Sequence, residues 1–179
     1  VAVDPNDADH AFVGSWGNGL LEYRKDGGVN RYTEANSSLL PINSIPGYII
    51  VGGVGFDDDG NLWTVAGGNT NAISVMKKDG TWQNFVIPEI AVSGYGLYNM
   101  TVDDFGQKWF IARSGSSVGE GLCVFKEQDL SNPNNASFRR LTDDAGNGAL
   151  PHIFVRSVAK DKDGSIWIGC DKGVAVIYN

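Results

Sequence analysis

Asp57-Asp58-Asp59-Gly60-Asn61-Leu62-Trp63 decides the fold, because its Asp-x-x-Gly-x-x-Trp spacing returns at Asp103, Gly106 and Trp109 and again at Asp161, Gly164 and Trp167. An apolar pair or a small residue follows each Trp: Thr64-Val65-Ala66, Phe110-Ile111-Ala112 and Ile168-Gly169. A degraded copy runs from Asp4 to Phe12-Val13-Gly14, with a longer turn and Phe in place of Trp. The aromatic residues are spaced 51, 46 and 58 positions apart, near the period of one propeller blade built from four short strands.

Each repeat reads as strand, Asp/Gly turn, Trp-centred strand, variable loop, strand, Asp-Gly turn, strand. The second copy shows it best, with strands expected at 54–56, 62–66, 72–76 and 81–86 and a Lys78-Asp79-Gly80 hairpin turn. The Trp strand is continuously apolar (Ile166-Trp167-Ile168), as expected for a strand covered on both faces. Trp63, Trp109 and Trp167 are therefore expected at equivalent buried positions, with Trp16 outside the pattern. The fold class expected is all-β, a β-propeller fragment of just under four blades of four-stranded antiparallel sheets. The blades should span about 1–35, 49–87, 99–142 and 153–179, the last incomplete. Such a fragment is expected to be part of a larger ring and to self-associate through its open end faces.

The 179 residues, 42% hydrophobic with 24 Gly, can build a turn-rich core. A formal net charge of −7 speaks against broad binding to nucleic acid or an anionic membrane. No apolar run reaches the roughly 18 residues of a membrane-spanning helix. Cys123 and Cys170 sit in apolar runs of different repeats and read as buried thiols. With only His10 and His152 available, no zinc site is expected.

Asp57-Asp58-Asp59-Gly60-Asn61 and Asp161-Lys162-Asp163-Gly164-Ser165 resemble calcium loops in composition. They lack the bidentate carboxylate eleven positions on, where Gly68 and Lys172 stand, so they read as tight turns. The glycine-rich run 115–121 lacks the Lys-Ser/Thr and helix of a phosphate loop and reads as a flexible loop. Ser15, Ser114, Ser157 and His152 have no nucleophile context, so no enzyme, catalytic residue, metal or cofactor is expected. Loops between second and third strands and between blades share one face of a propeller. Here they supply Trp16, Asn18, Asn69, Asn71, Arg113 and Asp171, and Tyr48, Tyr95, Tyr98 and His152. Aromatic faces beside Asn, Asp and Arg suit sugar rings, which selects Trp16, Asn18, Tyr95, Tyr98, Arg113 and Asp171 as candidate ligand-binding residues. The competing reading is that these aromatics pin long connections onto the ring.

Gly164-Ser165-Ile166-Trp167-Ile168-Gly169 with Gly173-Val174-Ala175-Val176 resembles the two-component regulator propeller repeat of periplasmic sensor domains in Bacteroidetes hybrid histidine kinases. The segments 12–23, Asp79-Gly80-Thr81-Trp82-Gln83, Gly106-Gln107-Lys108-Trp109 and 173–178 look like the propeller family associated with the type IX (Por) secretion system. That resemblance implies an exported, periplasmic or cell-surface binding protein related to anionic lipopolysaccharide handling, with partners in an outer-membrane or secretion assembly. The alternative it implies is a glycan-sensing domain of a hybrid two-component histidine kinase.

Overall fold

The computed structural model describes residues 1–90, 96–114 and 120–178. Among them there is no helix, and the chain forms four antiparallel sheets, an open propeller fragment. The first contains β1 (Ala2–Asp4), β2 (Asp7–Gly14), β4 (Leu20–Arg24) and β5 (Val29–Tyr32). The second contains β6 (Ile49–Phe56), β7 (Leu62–Ala66), β8 (Ile73–Met76) and β9 (Trp82–Phe85), and β3 (Trp16–Gly17) is added to it from the first repeat. The third is β10 (Gly96–Val102), β11 (Lys108–Arg113), β12 (Gly121–Glu127) and β13 (Ala136–Leu141). The fourth is β14 (Val155–Lys160), β15 (Ile166–Cys170) and β16 (Gly173–Ile177).

The repeated motif acts through one aspartate with two jobs. Asp57 Oδ1 accepts the Asn61 backbone N–H at 2.8 Å, while Oδ2 accepts the Trp63 indole N–H at 2.8 Å. Asp103 and Asp161 repeat both bonds, to Gln107 and Trp109 and to Ser165 and Trp167. Gly60, Gly106 and Gly164 take φ of 83°, 74° and 86°, the left-handed backbone that closes the turn. The six-residue spacing from Asp to Trp is thus the reach of a carboxylate across its own hairpin. In the first repeat the two functions of Trp are divided. Phe12 holds the Trp register, pairing with Ala2, and His10 supplies the ring nitrogen 3.0 Å from Asp4 Oδ2.

Sheets stack by covering each other's central aromatic. Trp63 is fully buried beneath the third sheet, 6.1 Å from Phe125 and with Lys108 Nζ 3.7 Å above its ring. Lys108 is itself 0% exposed and bonded to Glu127 at 2.6 Å; burial pushes its ammonium pKa down and the Glu127 carboxylate partly restores it. Trp109 is buried in a cluster with Val155, Ile166 and Ile168 of the fourth sheet. Trp167 departs from its expected burial. It keeps the register and the Asp161 bond, yet is 48% exposed, because no described sheet lies over its face. Cys123 is buried, which pushes its thiol up to about 12, whereas Cys170 is only partly covered; both are free thiols.

In the first sheet the cross-strand partner of Phe12 is Glu22, where Trp63, Trp109 and Trp167 face Val75, Val124 and Val176. This buried carboxylate is held by His10 (2.8 Å), Asn30 (3.0 Å), the Tyr32 hydroxyl (2.7 Å) and Arg24. Burial pushes its pKa up, and the bonds from Asn30, Tyr32 and His10 with the Arg24 charge outweigh it, holding the carboxyl at about 2. Tyr32 is pushed up to about 12, by burial and by its bond to Glu22.

Candidate functional site

The inner strands of the second, third and fourth sheets each carry a bulge, eleven residues before the central Trp in the second and fourth and ten before it in the third. Gly52 in β6, Asn99 in β10 and Arg156 in β14 are each the extra residue in the pairing with the next strand. A bulge bends its strand and redirects a side chain. Gly52 has none, and a Cβ there would meet the Leu97 carbonyl oxygen at 1.8 Å, so the second and third sheets close tightly at this level. Asn99, at φ 44°, and Arg156 are both exposed.

The next junction is open. A cavity of about 530 Å³ lies between the third and fourth sheets, lined by Gly96, Tyr98, Arg113, Ser114, Glu120, Phe154 and Arg156. Its wall carries the buried Glu120, whose Oε1 accepts the Ser114 N–H at 3.0 Å. Arg156 projects Nε and Nη2 onto the two carboxylate oxygens of Asp171, the Nη2 bond being 2.7 Å. The bond from Arg156 holds the Asp171 carboxyl below the usual carboxylate range and raises the guanidinium's own pKa. Arg113 makes no ion pair among the described residues.

Trp16 reaches this region from the first repeat. Its strand β3 pairs with the inner strand of the second sheet, Trp16 opposite Ile50, through Val51 N–H to Ser15 O and Gly19 N–H to Ile49 O. From there the indole stacks on Tyr98 at 5.8 Å between ring centroids and 21° between planes, leaving Trp16 58% exposed. The Tyr98 ring lies over Gly96, where a Cβ would stand 2.1 Å from the phenol oxygen. An aromatic pair, Trp16 exposed and Tyr98 half-buried, therefore abuts a pocket with two guanidinium groups.

Of the six residues selected from sequence, Trp16, Tyr98, Arg113 and Asp171 are gathered at this junction. Trp16, Tyr98 and Arg113 lie in strands rather than loops. Asn18 forms an isolated bridge to Ile49 and its carbonyl accepts Arg31 Nε at 3.0 Å, away from the pocket. Tyr95 lies outside the described residues, as do 115–119 of the glycine-rich run. Asn69 and Asn71 hold the long connection between β5 and β6, donating to Leu40 O and Ser38 O. Sequence reasoning missed Arg156, Phe154 and Glu120. The signal for Arg156 is its place eleven residues before Trp167, as Gly52 precedes Trp63, and it becomes legible only once the bulge register is seen.

The family described as "Two component regulator propeller" matches residues 149–172. A search of curated proteins gave no match. Among solved structures, the chain is similar to PorZ, an essential bacterial surface component of the type-IX secretion system of Porphyromonas gingivalis. The identity is 32% and the TM-score 0.84 over 99% of this chain, which spans 24% of PorZ. The extracellular domain of the hybrid two component system BT4673 from B. thetaiotaomicron is 18% identical with TM-score 0.65, covering 93% of this chain and 20% of that one. That of BT3049 from the same organism is 20% identical with TM-score 0.60, covering 98% and 20%. No helix among the described residues is long and apolar enough to cross a membrane. The chain thus carries repeated Asp–Trp hairpins on stacked sheets, matches the two-component regulator propeller model at residues 149–172, and is similar along nearly its whole length to about a quarter of PorZ.

Proposed function

We propose that this chain is part of a non-catalytic binding propeller of an exported protein, and that it binds a glycan at the junction of the third and fourth sheets. The observation that carries the reading is the Trp16–Tyr98 stack beside Arg113 and Arg156: an aromatic face for the CH surface of a sugar ring, with charged donors at its edge. Similarity to PorZ supports a role related to type IX secretion, with secretion or outer-membrane proteins as partners, and the proposed ligand there is anionic lipopolysaccharide. The free face carrying Trp167 and Val174 supports self-association in the isolated chain. A second reading, glycan sensing at the periplasmic side of a hybrid histidine kinase, is favoured by the match at 149–172 and by the extracellular domains of BT4673 and BT3049.

Titration with neutral and acidic oligosaccharides, followed by tryptophan fluorescence, tests the site. Trp16 is the most exposed indole at the pocket, so binding should shift emission of the parent and not of Trp16→Phe. Unchanged emission of the parent at millimolar concentrations of every sugar would leave the aromatic pair as a structural clasp and remove the glycan reading.

A further inference from the structure

We infer that Arg156 is a carboxylate receptor of this pocket, self-occupied by Asp171, and that it selects ligands bearing a carboxylate over their neutral counterparts. The inference rests on the glycan reading above and names the ligand chemistry of that site.

Three observations converge. First, the bulge eleven residues before the central Trp presents no side chain at Gly52 of the second repeat and an exposed guanidinium at Arg156 of the fourth. Second, the guanidinium lines a cavity at the junction of the third and fourth sheets, beside Tyr98 and Arg113. Third, Asp171 already meets Arg156 in the fork geometry, Nε to Oδ1 and Nη2 to Oδ2, that a ligand carboxylate would adopt.

The internal pair is easily displaced. The Arg156 and Asp171 side chains are 50% and 31% exposed, and an ion pair in such a setting contributes little net free energy, since water solvates both partners once they part. An incoming carboxylate held by the aromatic face can therefore take the place of Asp171, which turns toward solvent. Arg113, also on the pocket wall and without an ion pair among the described residues, balances the added charge. Asp171 is thus a competitor for the receptor, and removing its charge strengthens binding. A part limited to holding Arg156 in place would give the opposite sign.

The test uses trigalacturonate and its methyl ester, two probes of one sugar skeleton that differ in charge. Affinities are measured by calorimetry on the parent, Arg156→Gln and Asp171→Asn, with circular dichroism to verify folding; both substitutions are at exposed side chains. The acid should bind the parent more tightly than the ester. Arg156→Gln should weaken the acid about tenfold and leave the ester unchanged, and Asp171→Asn should tighten the acid about three- to fivefold. Added salt should weaken the acid alone. Equal binding of both probes, unaffected by Arg156→Gln, would overturn the receptor while leaving the stacking site intact. Weaker acid binding in Asp171→Asn would overturn self-occupation. No binding of either probe to the parent would overturn the glycan site and the receptor together.

Discussion

Trp63 in the second sheet and Trp167 in the fourth make the same indole–carboxylate bond at the same strand register, yet one is fully buried and the other half exposed. The hairpin motif determines where the indole points. What lies over it comes from another sheet: Phe125 and Lys108 cover Trp63, and no described residue covers Trp167 in the same way. Local order and stability are therefore separable in this chain, since identical hydrogen bonds accompany very different amounts of apolar burial.

The comparison breaks most readily at Trp63. Trp63→Ala should cost about 3–5 kcal/mol, because a large cavity opens between two packed sheets and a buried ammonium loses its aromatic partner. Chemical denaturation measures it, and a loss below about 1 kcal/mol would show that the stack does not depend on this contact.

The first sheet sharpens the comparison, because there the partner of the central aromatic is Glu22 in place of Val75 or Val176. Its folded-state pKa is lowered from 4.5 to about 2, so its stabilisation is complete above pH 4.5 and lost as pH falls from there toward 2. Glu22→Gln should lower stability at pH 7 by about 2 kcal/mol and flatten that acid limb. Parallel acid limbs in parent and variant would show that other carboxylates dominate.

The smallest effect is expected at Trp167. Trp167→Ala should cost about 1 kcal/mol or less, although sequence reading placed this indole in the core. A large loss would mean that the free face is covered in solution.

Much of the fold is legible in the sequence because it is written locally. Asp, Gly and Trp at fixed spacing encode a turn, a backbone sign and a strand, and 62–66 was read to the residue. The second function of Asp57, binding the Trp indole, is equally local but depends on side-chain reach that a pattern of residue types does not state. The site is harder because it joins three repeats: Trp16 comes from the first, Tyr98 and Arg113 from the third, Arg156 and Asp171 from the fourth. Its aromatic members are visible as exceptions to the repeat. Arg156 is not, since a bulge shifts side-chain direction without leaving a signature in residue type. Trp167 shows the same limit for packing: periodicity identifies the face a strand presents, and its cover depends on a neighbouring sheet.

Strand β3 has a consequence for how such rings are duplicated and how they come apart. Because Ser15 to Gly19 are bonded to the inner strand of the next sheet, the first two sheets are stitched together by main chain rather than by side-chain contact alone. Copying or deleting the first repeat by itself would leave either an unpaired clasp or a bare inner edge. The unit of inheritance is one hairpin-bearing repeat, but the main-chain bonds predict that the first two sheets open together, and amide exchange at Val51, whose N–H is bonded to Ser15 O, would report the integrity of both.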